Sequence, residues 1–185
     1  FINFIFLLSP LIILLRLLKK KEDPKRFKEK IGFFKNNNIK GKLIWFHGAS
    51  VGEIQSIVPM LEKLEKSNEI SKILITSNTL SSTKIISKIK LKKTVHQFFP
   101  IDNNFIVKKF IKHWKPSMAI FVDSEIWPNM FINLNKSKIP IVLVNARITK
   151  KSFTRWIKFK NFSKFLFGKI ELSLCSNKET GVFLK

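Results

Sequence analysis

At 185 residues the chain has room for one domain with a proper core but not for two, and its single cysteine, Cys175, excludes an internal disulfide and any cysteine-based metal site. A formal charge of +23, from 35 basic and 12 acidic residues, points to an anionic partner: nucleic acid, phosphorylated substrate or membrane surface. Only four of the basic residues are arginines (Arg16, Arg26, Arg147, Arg155), so the charge reads more as drift toward lysine than as a purpose-built anion surface.

In chain order, residues 1–18 (FINFIFLLSPLIILLRLL) are apolar apart from Asn3, Ser9 and Arg16, and Lys19, Lys20 and Lys21 follow directly. That length is at the lower limit for crossing a bilayer, and Pro10 would kink the helix. The expectation is an N-terminal membrane anchor with its lysine flank cytoplasmic, or a shallow monotopic helix. A signal peptide would carry its charges ahead of the apolar run and a small-residue cleavage site behind it. Residues 19–42 are charged and punctuated by Pro24, Gly32, the Asn36–Asn38 run and Gly41. They read as a basic juxtamembrane stretch: a short helix over DPKRFKEKIGFF with Pro24 in its first turn, then a loop. Such lysines suit anionic headgroups, the plain alternative being a solvated linker.

From residue 43 onward apolar strands alternate with helices. Strands are predicted at Leu43–Phe46, Lys72–Thr76, Val95–Phe99, Met118–Val122, Pro140–Val144 and Glu171–Cys175. Helical spacing runs from Val51 through Leu64, from the polar loop Ser77–Thr83 to near Leu91, from Asp102 to Trp114, after Pro128, and from Ser152 to Phe167. The alternation predicts right-handed βαβ units and a Rossmann-like, doubly wound, mainly parallel α/β sheet over 43–185. In such a sheet every strand-to-helix loop opens on one edge, where ligands bind.

The first of these loops, in LIWFHGASVGE, carries the densest signal. Ser50-Val51-Gly52-Glu53 fits a capping box, in which serine and glutamate satisfy the free N–H groups of a helix start. The functional alternative makes Glu53 a general base in a cleft, with Gly48 and Gly52 admitting a substrate close to the backbone. The fourth and fifth loops bring Glu125, Asn145 and Arg147 to the same edge, a reasonable active-site constellation. Glu125 could equally be a carboxylate favoured at a helix N-terminus. Arg147 breaks the lysine habit of the sequence, which argues for planar, bidentate donors there. His47, His96 and His113 show no metal-ligand spacing; His47, alone in the key loop, reads as a hydrogen-bonded structural group. Cys175 reads as a small buried hydrophobe.

Taken together and in this order, HGASVGE, ILITSNT, HQFFPID, SEIWPN and PIVLVNARIT resemble the 3-deoxy-D-manno-octulosonic acid (Kdo) transferases of lipopolysaccharide synthesis. The apolar start and KKKEDPKRFKEKIG fit the same family. The resemblance implies a GT-B glycosyltransferase: two Rossmann-like domains facing a cleft, on the cytoplasmic face of the inner membrane, moving Kdo from CMP-Kdo to a lipid A precursor (lipid IVA). By motif, Glu53 would be the general base and Glu125 a second essential carboxylate. Ser50, Gly52, Asn145 and Arg147 would line the acceptor side. Where the family usually has an arginine in an E-R-x-G-like stretch, this chain has Lys30 in EKIG, a point charge in place of a bidentate phosphate grip. CMP is a good leaving group, so no cofactor or metal is expected for nucleophile activation. The chain opens on Phe1 and stops at Lys185. The expectation is an N-terminal fragment, inactive alone, lacking the domain that makes most CMP-Kdo contacts.

Three other readings compete. A different membrane-associated GT-B enzyme using a UDP-sugar would carry a G-G-x-x-G loop, and this loop has only Gly48 and Gly52. A basic nucleic-acid-binding module would interleave its charges with stacking aromatics. Here the phenylalanines fall mostly inside apolar runs and tyrosine is absent, so no nucleic-acid partner is expected. A noncatalytic membrane scaffold leaves the convergent carboxylates unexplained.

Overall fold

The computed structural model describes residues 15–34, 39–89, 91–123 and 125–184. Six strands, β1 (Lys42–His47), β2 (Ile70–Ser77), β3 (Thr94–Phe98), β4 (Met118–Val122), β5 (Ile141–Ala146) and β6 (Leu172–Cys175), form one sheet in the order β3-β2-β1-β4-β5-β6. Every neighbouring pair is parallel. The helices are α1 (Val51–Glu65), α2 (Leu80–Lys88), α3 (Asn104–Trp114), α4 (Pro128–Lys136), α5 (Lys150–Ile157), α6 (Lys160–Phe167) and α7 (Lys178–Phe183). This is the doubly wound order, and its direction reverses between β1 and β4. The expected fold class is therefore present in its α/β, Rossmann-like part. The expected membrane anchor falls almost wholly on residues 1–14, outside the described residues. No described helix is long and apolar enough to cross a membrane.

Strands that are apolar on both faces become the middle layer of three, because each face must be covered. One face of the sheet (Leu43, Trp45, Leu74, Ala119, Phe121, Ile141, Leu143) packs on Val107, Phe110 and Trp114 of α3, Met130, Phe131 and Leu134 of α4, and Leu166 of α6. The other face (Ile44, Phe46, Ile73, Ile75, Ile120, Val122, Val142) packs on Ile54, Ile57 and Leu61 of α1 and Ile86 of α2. The period of two along a strand places Trp45 and Phe46, both fully buried, in different cores.

Two predicted helices are shifted. The helix expected from Asp102 begins at Asn104, capped by Asn103. Asp102 instead lends its carboxylate to α4, accepting from Asn129 N (3.0 Å) and Met130 N (2.8 Å). The segment expected as one helix from Ser152 to Phe167 is two, α5 and α6, broken at Lys158 and Phe159. The Ser163 hydroxyl lies within reach of the carbonyls of Trp156, Phe159 and Lys160 at the break.

Residues 19–34 are no solvated linker. In place of the expected helix there is a single 3-10 turn, Phe27–Ile31, closed by Gly32 at φ +94°. Buried Glu29 pairs with Arg26 through both carboxylate oxygens and accepts the Phe98 N–H at 2.9 Å. Arg26 also donates to the His96 carbonyl at 3.0 Å and lies over the Phe98 ring. The Ile101 N–H donates to the Lys30 carbonyl. Together these contacts clasp the segment onto the end of β3.

Candidate active site

The carboxyl edge of the sheet at the reversal between β1 and β4 gathers the loops that the sequence singled out. β1 and β4 are paired as far as His47 against Phe121, so the loops following them leave side by side on diverging paths. Ligands of open α/β sheets bind at such a point.

After β1 the chain runs through Gly48 into α1. Ser50 is the N-cap, its hydroxyl accepting from Glu53 N at 3.3 Å and donating to Glu53 Oε1 at 2.7 Å. Glu53 Oε2 accepts the Ala49 N–H at 2.7 Å. The capping box is thus formed, and Glu53 is folded onto its own helix start. Each carboxylate oxygen has two lone pairs, so these contacts fix the group without exhausting its capacity to accept a proton. Gly52, exposed, has open space where a side chain would be, and Gly48 is buried.

Glu125, partly buried, lies across the reversal. Its Oε2 accepts from Trp127 Nε1 at 2.9 Å and stands 3.3 Å from His47 Nε2. The structure thus brings Glu125 onto the end of β1. Just past β4 and near the end of β5, Asp123 (φ +60°) and Asn145 (φ +56°) both adopt the left-handed conformation, which Asp and Asn tolerate better than most residues. Asn145 sits at an irregularity in the β5–β6 register, and both it and Arg147 are exposed.

Lys30 sits apart from this cluster, beside the loop after β2. Its Nζ is 2.8 Å from each carboxylate oxygen of buried Glu22 and 3.3 Å from the Asn78 carbonyl. Burial lowers its pKa from the usual lysine value, and the contact with Glu22 opposes that shift. Arg16 completes the group on Glu22. Lys30 is thus committed to holding the N-terminal segment to the sheet edge.

The residue at the centre is His47, the hydrogen-bonded structural group expected in the first loop, although its partners were not legible in the sequence. His47 ends β1 and is fully buried. Its ring stacks on Phe99 (3.9 Å between centroids) and meets Phe121 and Trp127 edge-on. Its Nδ1 lies 3.0 Å from Thr76 Oγ1. Thr76 comes from ILITSNT, Phe99 from HQFFPID, and Glu125 and Trp127 from SEIWPN, so three other motifs meet on the imidazole of HGASVGE. The available signal was the alternation Leu43, Trp45, His47, which puts a polar ring on a buried face that must supply partners. Reasoning from sequence missed Asp102: by capping α4 it ties HQFFPID to SEIWPN, although burial raises its carboxyl pKa above the usual value.

Among the described residues no cluster of His, Cys, Asp and Glu could hold a metal ion.

Residues 25–184 match the family described as 3-deoxy-D-manno-octulosonic-acid transferase (kdotransferase). The 3-deoxy-D-manno-octulosonic acid transferase of Rickettsia bellii is 41% identical over 164 residues, covering 87% of this chain and 39% of its own length. That of Haemophilus influenzae is 26% identical over 183 residues, covering 97% of this chain and 43% of its own. The chain therefore spans less than half of each. Among solved structures, the UDP-GlcNAc 2-epimerase of Neisseria meningitidis bound to UDP-GlcNAc superposes with a TM-score of 0.53 at 12% identity. That match covers 78% of this chain and 43% of the epimerase, and at such identity the likeness is one of fold alone.

Proposed function

Because this chain belongs to the 3-deoxy-D-manno-octulosonic-acid transferase family, we propose that it is the acceptor-side domain of a GT-B glycosyltransferase moving Kdo from CMP-Kdo to a lipid A precursor. The observation that carries this reading is the meeting of HGASVGE and SEIWPN across the β1–β4 reversal, with Glu125 against His47. Two carboxylate-bearing loops at one sheet edge are what a reaction needs when it deprotonates a hydroxyl and stabilises a cationic centre.

In this reaction an acceptor hydroxyl oxygen bonds to the anomeric carbon of Kdo while the bond from that carbon to the CMP phosphate oxygen breaks. The electron pair leaves with CMP, and the hydroxyl proton passes to Glu53. The hydrogen bonds from Ala49 and Ser50 keep that carboxylate from rotating away, so the orientation is set before substrate arrives. Gly52 leaves the approach beside it open. Glu125 is the second carboxylate, Asn145 and Arg147 line the acceptor side, and Lys30 shapes the N-terminal wall through Glu22. Membrane association through the apolar N-terminal segment and the lysine-rich surface brings the enzyme to its lipid acceptor on the cytoplasmic face of the inner membrane. The nucleotide-sugar domain is a second, separate half.

The test is Glu53→Gln in the full-length protein, assayed with CMP-Kdo and lipid IVA. The expected result is a loss of turnover of about 10²–10⁴-fold, the contribution of a general base. Stability should stay within about 1 kcal/mol, the scale of a helix cap. Normal turnover by that variant overturns the assignment.

A further inference from the structure

On the reading above Glu125 takes part in the reaction, and what holds it in place is written in the hydrogen bonds around His47. The imidazole has no freedom to turn: it is fully buried, stacked on Phe99 and flanked by Phe121 and Trp127. Its proton can be located by following donors inward. Trp45 Nε1 only donates, and does so to Thr76 Oγ1 at 2.9 Å. The single hydroxyl proton of Thr76 then has two acceptors in reach, the Phe46 carbonyl at 3.4 Å and His47 Nδ1 at 3.0 Å. Taking the shorter makes Nδ1 an acceptor and leaves the ring proton on Nε2, aimed at Glu125 Oε2 at 3.3 Å.

The other tautomer is disfavoured on the same grounds. A proton on Nδ1 would go to Thr76 Oγ1 at 3.0 Å or the Thr76 carbonyl at 3.2 Å, and would turn the threonine hydroxyl to the longer 3.4 Å contact with the Phe46 carbonyl. It would also set a bare Nε2 lone pair against a carboxylate oxygen, two acceptors face to face. We propose that His47, held as the Nε2–H tautomer by the chain Trp45–Thr76, is a positioning residue that fixes the Glu125 carboxylate across the β1–β4 reversal, with Trp127 as the second donor. The carboxylate is then pinned through Oε2 by two ring N–H groups, one from each side of the crevice. Its orientation depends on Thr76, a residue of β2 that this arrangement keeps away from substrate. The inference rests on the transferase reading for what Glu125 does, and on the hydrogen bonds alone for how it is held.

The test uses the full-length protein labelled at histidine with ¹⁵N, with long-range ¹H–¹⁵N correlation reporting the tautomer of His47. The expected wild-type ring carries its proton on Nε2. Thr76→Val, which keeps the shape and removes the hydroxyl, should abolish that preference and lower kcat for Kdo transfer roughly tenfold, the scale seen for outer-shell partners, with acceptor KM within about twofold. Thr76→Ser, which restores the donor, should recover both, and its recovery distinguishes a lost hydrogen bond from a misfolded protein. His47→Gln, whose amide can still donate to Glu125, should retain more activity than His47→Phe. A wild-type ring protonated on Nδ1, or Thr76→Val with unchanged kcat, overturns the proposal. The tautomer is read without turnover: an Nε2–H ring in a wild-type protein that transfers no Kdo would sink the transferase reading and support the hold on Glu125.

Discussion

Gly48 and Gly52 flank the same loop under opposite steric conditions. A Cβ at Gly48 would lie 3.0 Å from Ile54 Cδ1 and 3.2 Å from Glu53 Cβ, whereas one at Gly52 meets nothing within 4 Å. Gly52 lies inside the first turn of α1, where glycine costs conformational entropy on folding. Gly52→Ala is expected to raise stability by about 0.5–1 kcal/mol in urea unfolding and, by narrowing the approach to Glu53, to raise the acceptor KM. Gly48→Ala is expected to lower stability, because Glu53 Cβ is held by its own helix and cannot retreat. At this scale the sequence was readable where the contact is local. Ser50 and Glu53 stand three residues apart, so their mutual cap could be named from the string SVGE. His47 was not readable in this way, because its partners, Thr76, Phe99 and Glu125, come from three other parts of the chain.

The N-terminal segment and β3 act as one element. Glu29 is the hinge pin, taking both Arg26 contacts and the buried Phe98 N–H. Glu29→Ala leaves the Arg26 charge and a buried amide without their partner; about 3 kcal/mol of destabilisation is expected by chemical denaturation, the cost of breaking a buried ion pair. The same element makes the fold acid-sensitive. Arg26 only donates, so His96 Nδ1 accepts from it at 3.1 Å and Nε2–H faces Ser77 Oγ at 2.9 Å, which is a neutral ring. Burial first, and the Arg26 charge second, depress its pKa from 6.5 to about 3. The unfolded chain therefore binds a proton that the folded chain refuses. Stability from this group is complete above about pH 6.5 and is lost as pH falls toward 3, at about 1.4 kcal/mol per pH unit. The difference between wild type and His96→Gln, followed by denaturant midpoint across pH 6.5 to 4, checks the slope; parallel curves would refute it. The clasp was not visible in KKKEDPKRFKEKIG, since a run of charges looks the same whether it is solvated or paired with a strand end far along the chain.

Across the whole molecule, a net charge of +23 sets a field that no single contact produces. The membrane part of the proposed function predicts that the full-length protein binds phosphatidylglycerol-containing vesicles far better than phosphatidylcholine ones. That preference should fade as salt approaches 1 M, where the screening length is about 3 Å. Salt-insensitive binding would assign the association to the apolar segment alone. By itself the sequence determined the class of the fold, because apolar strands alternating with amphipathic helices can bury both faces of a sheet in one way, as a parallel layer between helices. It also named the two acidic loops, since every strand-to-helix loop of such a sheet opens on the same edge. Only the tertiary structure decided the strand order, and with it which loops touch. Strand order depends on which apolar faces pack side by side, a long-range choice that no local spacing encodes. That choice set β1 beside β4, enclosed His47 among three other motifs and turned Glu125 toward it.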